Sequence, residues 1–149
     1  MNKEKIAFIP RQYLAVIAVL LAIMMSVLDG TIMNIALPTL AHDFDVTPST
    51  AIWIVNAYQL VITMTLLSFA SLGDIYGYRR IFLIGISIFV GASLACTLST
   101  SFWMLTAARV IQGFGAACVM SVNTALIRLI YTPQILGRGM GVNAMVVAV

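Results

Sequence analysis

Charge is what these 149 residues have least of. Lys, Arg, Asp and Glu together make 9% of the chain, where a soluble globular domain carries about 25%. The groups that usually hold metals or run acid–base chemistry are correspondingly few: one histidine, His42, and two cysteines, Cys96 and Cys118, each within an apolar stretch. Their spacing suggests neither a metal site nor a disulfide framework, and both cysteines read as small packing residues. No HExxH, GxSxG or Walker sequence occurs, so an enzyme is not expected, and neither is a metal or an organic cofactor. The run GRGMG from Gly137 is no dinucleotide loop, since no strand precedes it and an apolar helix follows.

Apolar residues stand where the charge is missing. They make 62% of the chain and raise the mean hydropathy to +1.06, in runs long enough to cross a bilayer. The expected class is all-α, a polytopic transmembrane bundle with helices over about 13–40, 51–72, 81–98 and 102–130 and a fifth beginning at 139–149. That fifth run, from Gly139 to Val149, covers only about 16 Å of helix against a hydrocarbon core of about 30 Å. The sequence is therefore expected to be part of a longer protein, the alternatives being a shifted boundary or a re-entrant tail.

The formal net charge of +3 does not point to nucleic acid, because its positions follow the membrane. Lys3, Lys5 and Arg11 precede the first span, Arg79 and Arg80 lie between the second and third, and Arg128 and Arg138 flank the loop after the fourth. Asp43, Asp45 and the loop residue His42 sit on the other side. By the positive-inside rule this sets the N-terminus in the cytoplasm and the chain in the cell membrane. Tyr13, Tyr76, Tyr78 and Tyr131 fall at the inner interface and Trp53 and Trp103 at the outer, which gives the same topology. The first run is too long for a cleavable signal and has further spans behind it.

One acid lies inside the first run. Asp29 near the middle of a membrane helix costs about 3 kcal/mol on insertion scales unless it finds a partner or a wet cavity, which makes it a functional candidate. Arg109 is the one cation within a span. Asp29 lies about 13 Å inside the outer boundary and Arg109 about 10 Å, by helix rise, so the two sit at one level. On the second helix Asn56, Gln59 and Thr63 recur at i, i+3 and i+7 and share a face, which must look at protein or water. On the fourth, Arg109, Gln112, Ala116, Met120 and Asn123 form a stripe, and Gly113, Ala117 and Ser121 beside it have the small-residue spacing of close helix packing. The third helix carries no ionisable residue and reads as a packing or lipid-facing helix. Gly73 and Gly77 allow turns around Asp74, whose carboxylate can accept from nearby backbone amides.

Three segments carry a resemblance. LDGTIMNIALP (Leu28 to Pro38), LGDIYGYRR (Leu72 to Arg80) and LTAARVIQGFGAA (Leu105 to Ala117) resemble, in order and in position, signatures of the major facilitator superfamily. The first of them resembles the fourteen-helix drug/proton antiporter branch. The chain departs from the pattern at Ala70, where the family has Gly, and at Tyr78, where it has a basic residue.

The resemblance implies the N-terminal part of a transporter that exports small lipophilic substrates, cations among them, by alternating access, with the proton as coupling ion. It implies that Asp29 and Arg109 form a protonation-dependent pair, the alternative being a static pair that locks the packing. Gly73, Asp74, Gly77, Arg79 and Arg80 become a cytoplasmic gating loop that latches the two halves. Asn56, Gln59, Gln112, Met120 and Asn123 become cavity-lining or substrate residues, though inter-helical hydrogen bonding accounts for them as well. Met24, Met25, Met33, Met64 and Met120 fit an adaptable apolar cavity, but ordinary lipid-facing or core methionine is the expected reading. The partners implied are the bilayer, the substrates and the rest of the transporter. The rival readings are a sugar or metabolite carrier of the same superfamily and a truncated, non-transporting membrane protein.

Overall fold

The computed structural model describes residues 3–130 and 141, with side chains from 17–123, 125, 126 and 141. The expected fifth helix at 139–149 lies outside the described residues except for Gly141, and so do Tyr131, Pro133 and Arg138. Four helices follow one another: α1 (Lys3–Asp43), α2 (Pro48–Tyr76), α3 (Tyr78–Thr97) and α4 (Phe102–Ile130). Each contains a stretch long and apolar enough to cross a membrane, the one in α1 beginning at Ile17.

Three of these helices depart from the bounds expected from sequence, for physical reasons. Hydropathy marks where a helix enters lipid, whereas α1 continues through Pro10 to Lys3 and through Pro38 to Asp43, 41 residues or about 62 Å in all. Pro48 opens α2 instead of preceding it. Its missing N–H falls among the groups a helix start leaves unpaired anyway, and Thr47 caps the turn by accepting from the Thr50 amide at 3.3 Å. At the other end α2 runs on to Tyr76, and Gly77 alone joins it to α3, at φ +92°, a conformation that favours glycine. Gly73, expected in a turn, lies inside α2. A Cβ there would stand 2.9 Å from Val122 Cγ1 and 3.0 Å from the Tyr78 ring, so its glycine serves a close approach.

The fourth helix is the centre of the bundle and packs on α1, α2 and α3. Its seam with α3 is the closest. A Cβ on Gly115 would lie 2.6 Å from the backbone nitrogen of Phe89, and one on Gly85 would lie 2.6 Å from the Cβ of Cys118. Both contacts are possible only because neither glycine has a side chain. The α2 seam depends on Gly113 in the same way, facing Tyr58 O at 3.0 Å and Val61 Cβ at 3.1 Å.

Ala117 is fully buried in the cluster of Tyr58, Ile62, Phe89 and Ala116. Ser121, half-buried, donates to its own helix at Cys118 O. The third helix is thus a packing helix along one side. Of its glycines, Gly91 meets open space. Its other side, like the outer faces of α1 and α2, leaves large apolar residues bare, among them Leu67 at 81%, Ile35 at 75% and Leu94 at 62% exposure. Such a surface is compatible with lipid or further helices and not with water.

Candidate functional site

The helical period brings Asp29 inward. Among the described side chains, Val19, Ile23, Ser26, Met33 and Ala41 are the buried residues of α1, and Asp29 continues their line, three residues after Ser26 and four before Met33. Arg109, 5% exposed, projects from α4 at the same level, and its Nη1 donates to Asp29 Oδ2 at 2.5 Å. Gln112, one turn along α4 and fully buried, donates from Nε2 to Asp29 Oδ1 at 3.1 Å. Both carboxylate oxygens are therefore engaged by one helix. The chain of contacts continues to α3, where the Cys96 thiol donates to Gln112 Oε1 at 3.6 Å. From α2 the ring of Tyr58 lies 5.8 Å from the guanidinium carbon, near the outer limit of about 6 Å for an attraction to the ring. Asp29 thus binds residues of α4 that themselves touch α2 and α3.

Two cavities share Arg109 in their walls. An open one of about 530 Å³ has Asp29, Asp43, Ser93, Cys96 and Arg109 among its walls, between α1, α3 and α4. A small one of about 50 Å³ lies between α1 and α2 and is lined by Asn34, Tyr58, Gln59 and Arg109 with apolar neighbours. Asp29 faces the first of these cavities, and Arg109 forms part of the wall of both.

The expected site residues divide. Asp29, Arg109 and Gln112 come together, and Gln59 reaches the small cavity. Asn56 and Thr63 share the exposed face of α2 but line neither cavity, and Thr63 donates to its own helix at Gln59 O. The buried stripe of α2 is instead Ala51, Ile54, Tyr58 and Ile62. Met120 packs half-buried on the Tyr58 and Phe89 cluster, and Asn123 is buried farther along α4. Met33 is buried beside the pair, Met24, Met25 and Met64 are exposed, and Met25 lines an apolar hollow of about 230 Å³ between α1 and α3.

His42 is exposed in the last turn of α1, its Nδ1 3.8 Å from Asp43. At the other end of the bundle Asp74 is bonded by the Tyr78 hydroxyl at 2.5 Å, not by the backbone amides expected from sequence. Arg79 and Arg80 are exposed in the first turn of α3.

Sequence reasoning missed Tyr58 and Asn34. The signal for Tyr58 was present: membrane tyrosines gather at interfaces, and this one falls mid-span. Asn34 stands within the LDGTIMNIALP segment already singled out.

Membrane-length helices joined by a buried ion pair, with cavities on either side of it, define a polytopic membrane protein with a polar centre of the kind that lines a transport path. The sequence profile of the Major Facilitator Superfamily matches residues 19–149, and the chain belongs to that family of transporters. It is 57% identical over 141 residues to YebQ of Escherichia coli (strain K12), named an uncharacterized transporter, covering 95% of this chain and 31% of that protein. It is 34% identical over 139 residues to the riboflavin transporter RibZ of Clostridioides difficile (strain 630), covering 93% of this chain and 30% of that one. With the drug efflux pump JefA of Mycobacterium tuberculosis (strain ATCC 25618 / H37Rv) it shares 42% over 118 residues, 79% of this chain and 23% of the pump. The chain thus spans at most about a third of the length of these relatives.

Proposed function

We propose that these residues are the N-terminal part of a proton-coupled transporter that exports small lipophilic compounds across the cell membrane, with the N-terminus in the cytoplasm. The observation that carries the reading is the Asp29–Arg109 pair with Gln112 on the second carboxylate oxygen. A proton arriving at Asp29 removes the negative partner of a buried guanidinium. Arg109 is then an unneutralised cation in a low-dielectric site, a state that favours rearrangement around α4. Proton binding and helix packing are in this way alternatives at one carboxylate. Efflux is supported by the likeness to JefA, named a drug efflux pump. RibZ, named a riboflavin transporter, supports a second reading in which the cargo is a metabolite. In this reading Asp74, Arg79 and Arg80 at the cytoplasmic end latch this bundle against the other half of the transporter, as the resemblance implies.

The test is transport by the intact protein in proteoliposomes under an imposed pH gradient. Asp29→Asn is expected to abolish gradient-driven export while leaving gradient-independent exchange in place, and Arg109→Ala to impair both. Unchanged proton-driven export by Asp29→Asn would remove Asp29 from the coupling role.

A further inference from the structure

Gln112 is fully buried, so its amide nitrogen and its carbonyl oxygen both need partners inside the protein. An ionised Asp29 can only accept, and the amide nitrogen faces it, Nε2 donating to Oδ1 at 3.1 Å. That orientation turns Oε1 toward α3, and the donor it meets there is the Cys96 thiol at 3.6 Å. The other cysteine of the chain has different surroundings: Cys118 is 2% exposed and packs among Val19, Ile23, Val119 and Val122. Turning the amide of Gln112 over would set its N–H groups against the sulfur of Cys96, a weak acceptor, and its oxygen against the carboxylate.

The two oxygens of Asp29 are thus held by different donors, Oδ2 by Arg109 Nη1 and Oδ1 by Gln112 Nε2. With the amide fixed, a proton added to Oδ1 competes with the Nε2 donor. A proton added to Oδ2 competes with Nη1 instead, and leaves Oδ1 as a carbonyl oxygen that still accepts from Gln112. An amide free to turn removes this distinction. Its Oε1 would accept from a proton on Oδ1 while Arg109 kept Oδ2, and proton uptake would no longer release the guanidinium. The group that holds Oε1 therefore decides which oxygen is open to the proton. The ionisable groups around Asp29 are Arg109 from α4, Tyr58 of α2 against that guanidinium, and Cys96 of α3 beyond Gln112. On α1 itself Asp43 stands at the far end of the open cavity, about 21 Å along the helix.

We propose that Cys96 is a positioning residue of the proton site, whose thiol holds the Gln112 amide so that Asp29 takes its proton on Oδ2, in exchange for Arg109. The O–H bond forms on Oδ2 with a proton delivered by water, and Arg109 leaves with its charge unchanged. The role rests on the proposed proton uptake by Asp29.

The test is infrared spectroscopy of the intact protein across the pH step that protonates Asp29, together with gradient-driven export in proteoliposomes. The S–H stretch of Cys96 is assigned as the band lost in Cys96→Ser. It is expected below the frequency of a free thiol, to stay there through the pH step, and to move to the free-thiol frequency in Gln112→Leu. Should Gln112→Leu fail to fold, the wild-type band is still read against a free thiol. Cys96→Ser and Cys96→Ala remove the same sulfur and differ by one hydroxyl donor, so a packing role would move both alike. Cys96→Ser is expected to retain gradient-driven export. Cys96→Ala is expected to lose about threefold, the low end for one neutral hydrogen bond because a thiol donates weakly. A free-thiol frequency in the wild type, an S–H band that shifts on acidification, or equal export by the two Cys96 variants would each overturn the role. Any of these alongside a carboxylic acid band from Asp29 removes the role of Cys96 alone, whereas absence of that acid band in the wild type removes the proton reading and this role with it.

Discussion

Replacing Gly115 by alanine inserts one methyl group into the α3–α4 seam at the point where it can yield least. The new Cβ would lie 2.6 Å from Phe89 N, 2.8 Å from Gly85 O and 2.9 Å from Phe89 Cα. All three are backbone atoms of α3, so no side chain can rotate out of the way. Carbon needs about 3.5–4.0 Å to a non-bonded neighbour, so the helices must part locally by about 1 Å, and a gap of that size forfeits up to about half of each dispersion contact along the seam. Overpacking of this kind costs about 2–3 kcal/mol. Gly91→Ala on the facing helix α3 is the control, because a Cβ there meets nothing within 4 Å. The assay is equilibrium unfolding of the intact protein in mixed micelles of dodecyl sulfate and dodecyl maltoside, followed by helical circular dichroism. If the two variants unfold within about 0.5 kcal/mol of each other, the range of an unremarkable surface change, the close seam is refuted.

Three further outcomes follow from the same geometry. Arg109→Ala leaves the Asp29 carboxylate, 18% exposed at its side chain, without its cation, and is expected to destabilise by about 3–5 kcal/mol; adding Asp29→Asn should recover much of that loss in the same unfolding assay, and no recovery would mean the two do not act as a pair. Thr47→Ala removes the cap on the Thr50 amide and is expected to cost about 1 kcal/mol, read as faster amide exchange in the first turn of α2. Tyr78→Phe keeps the ring against Gly73 but loses the exposed bond to Asp74, so its stability cost is expected below about 1 kcal/mol, far less than that of Gly73→Ala, whose Cβ would collide with Val122 and the Tyr78 ring.

The helices and the charge pair were legible in the sequence for one reason. Lipid forbids an unpaired charge as strictly as it forbids unpaired backbone, so Asp29 and Arg109 at equal depth had few options but each other. Gln112 followed from its place one turn beyond Arg109. The buried line of α2 was not legible from the polar spacing, which marks a different face. Asn56, Gln59 and Thr63 are exposed among the described residues, and the apolar line through Ile54, Tyr58 and Ile62 is what packs on the rest of the bundle. The role of Gly115 was hidden as well. Small-residue spacing along α4 identified Gly113 and Ala117, but which glycine meets which helix depends on the facing residue, here Gly85, and that is a property of two segments together. Helix ends were misplaced in α1, α2 and α3, since a helix does not stop where lipid does, whereas α4 has the expected bounds.

The proposed coupling turns on Asp29 exchanging its bond to Arg109 for a proton. Difference infrared spectroscopy of the intact protein across a pH step reads this directly, through the carbonyl band of a protonated carboxylic acid. A band that appears on acidification in the wild-type protein, and is missing in Asp29→Asn, is the predicted result. The same band present in full in Asp29→Asn, or no carboxylic acid signal in the wild type at any pH at which the protein transports, would contradict it.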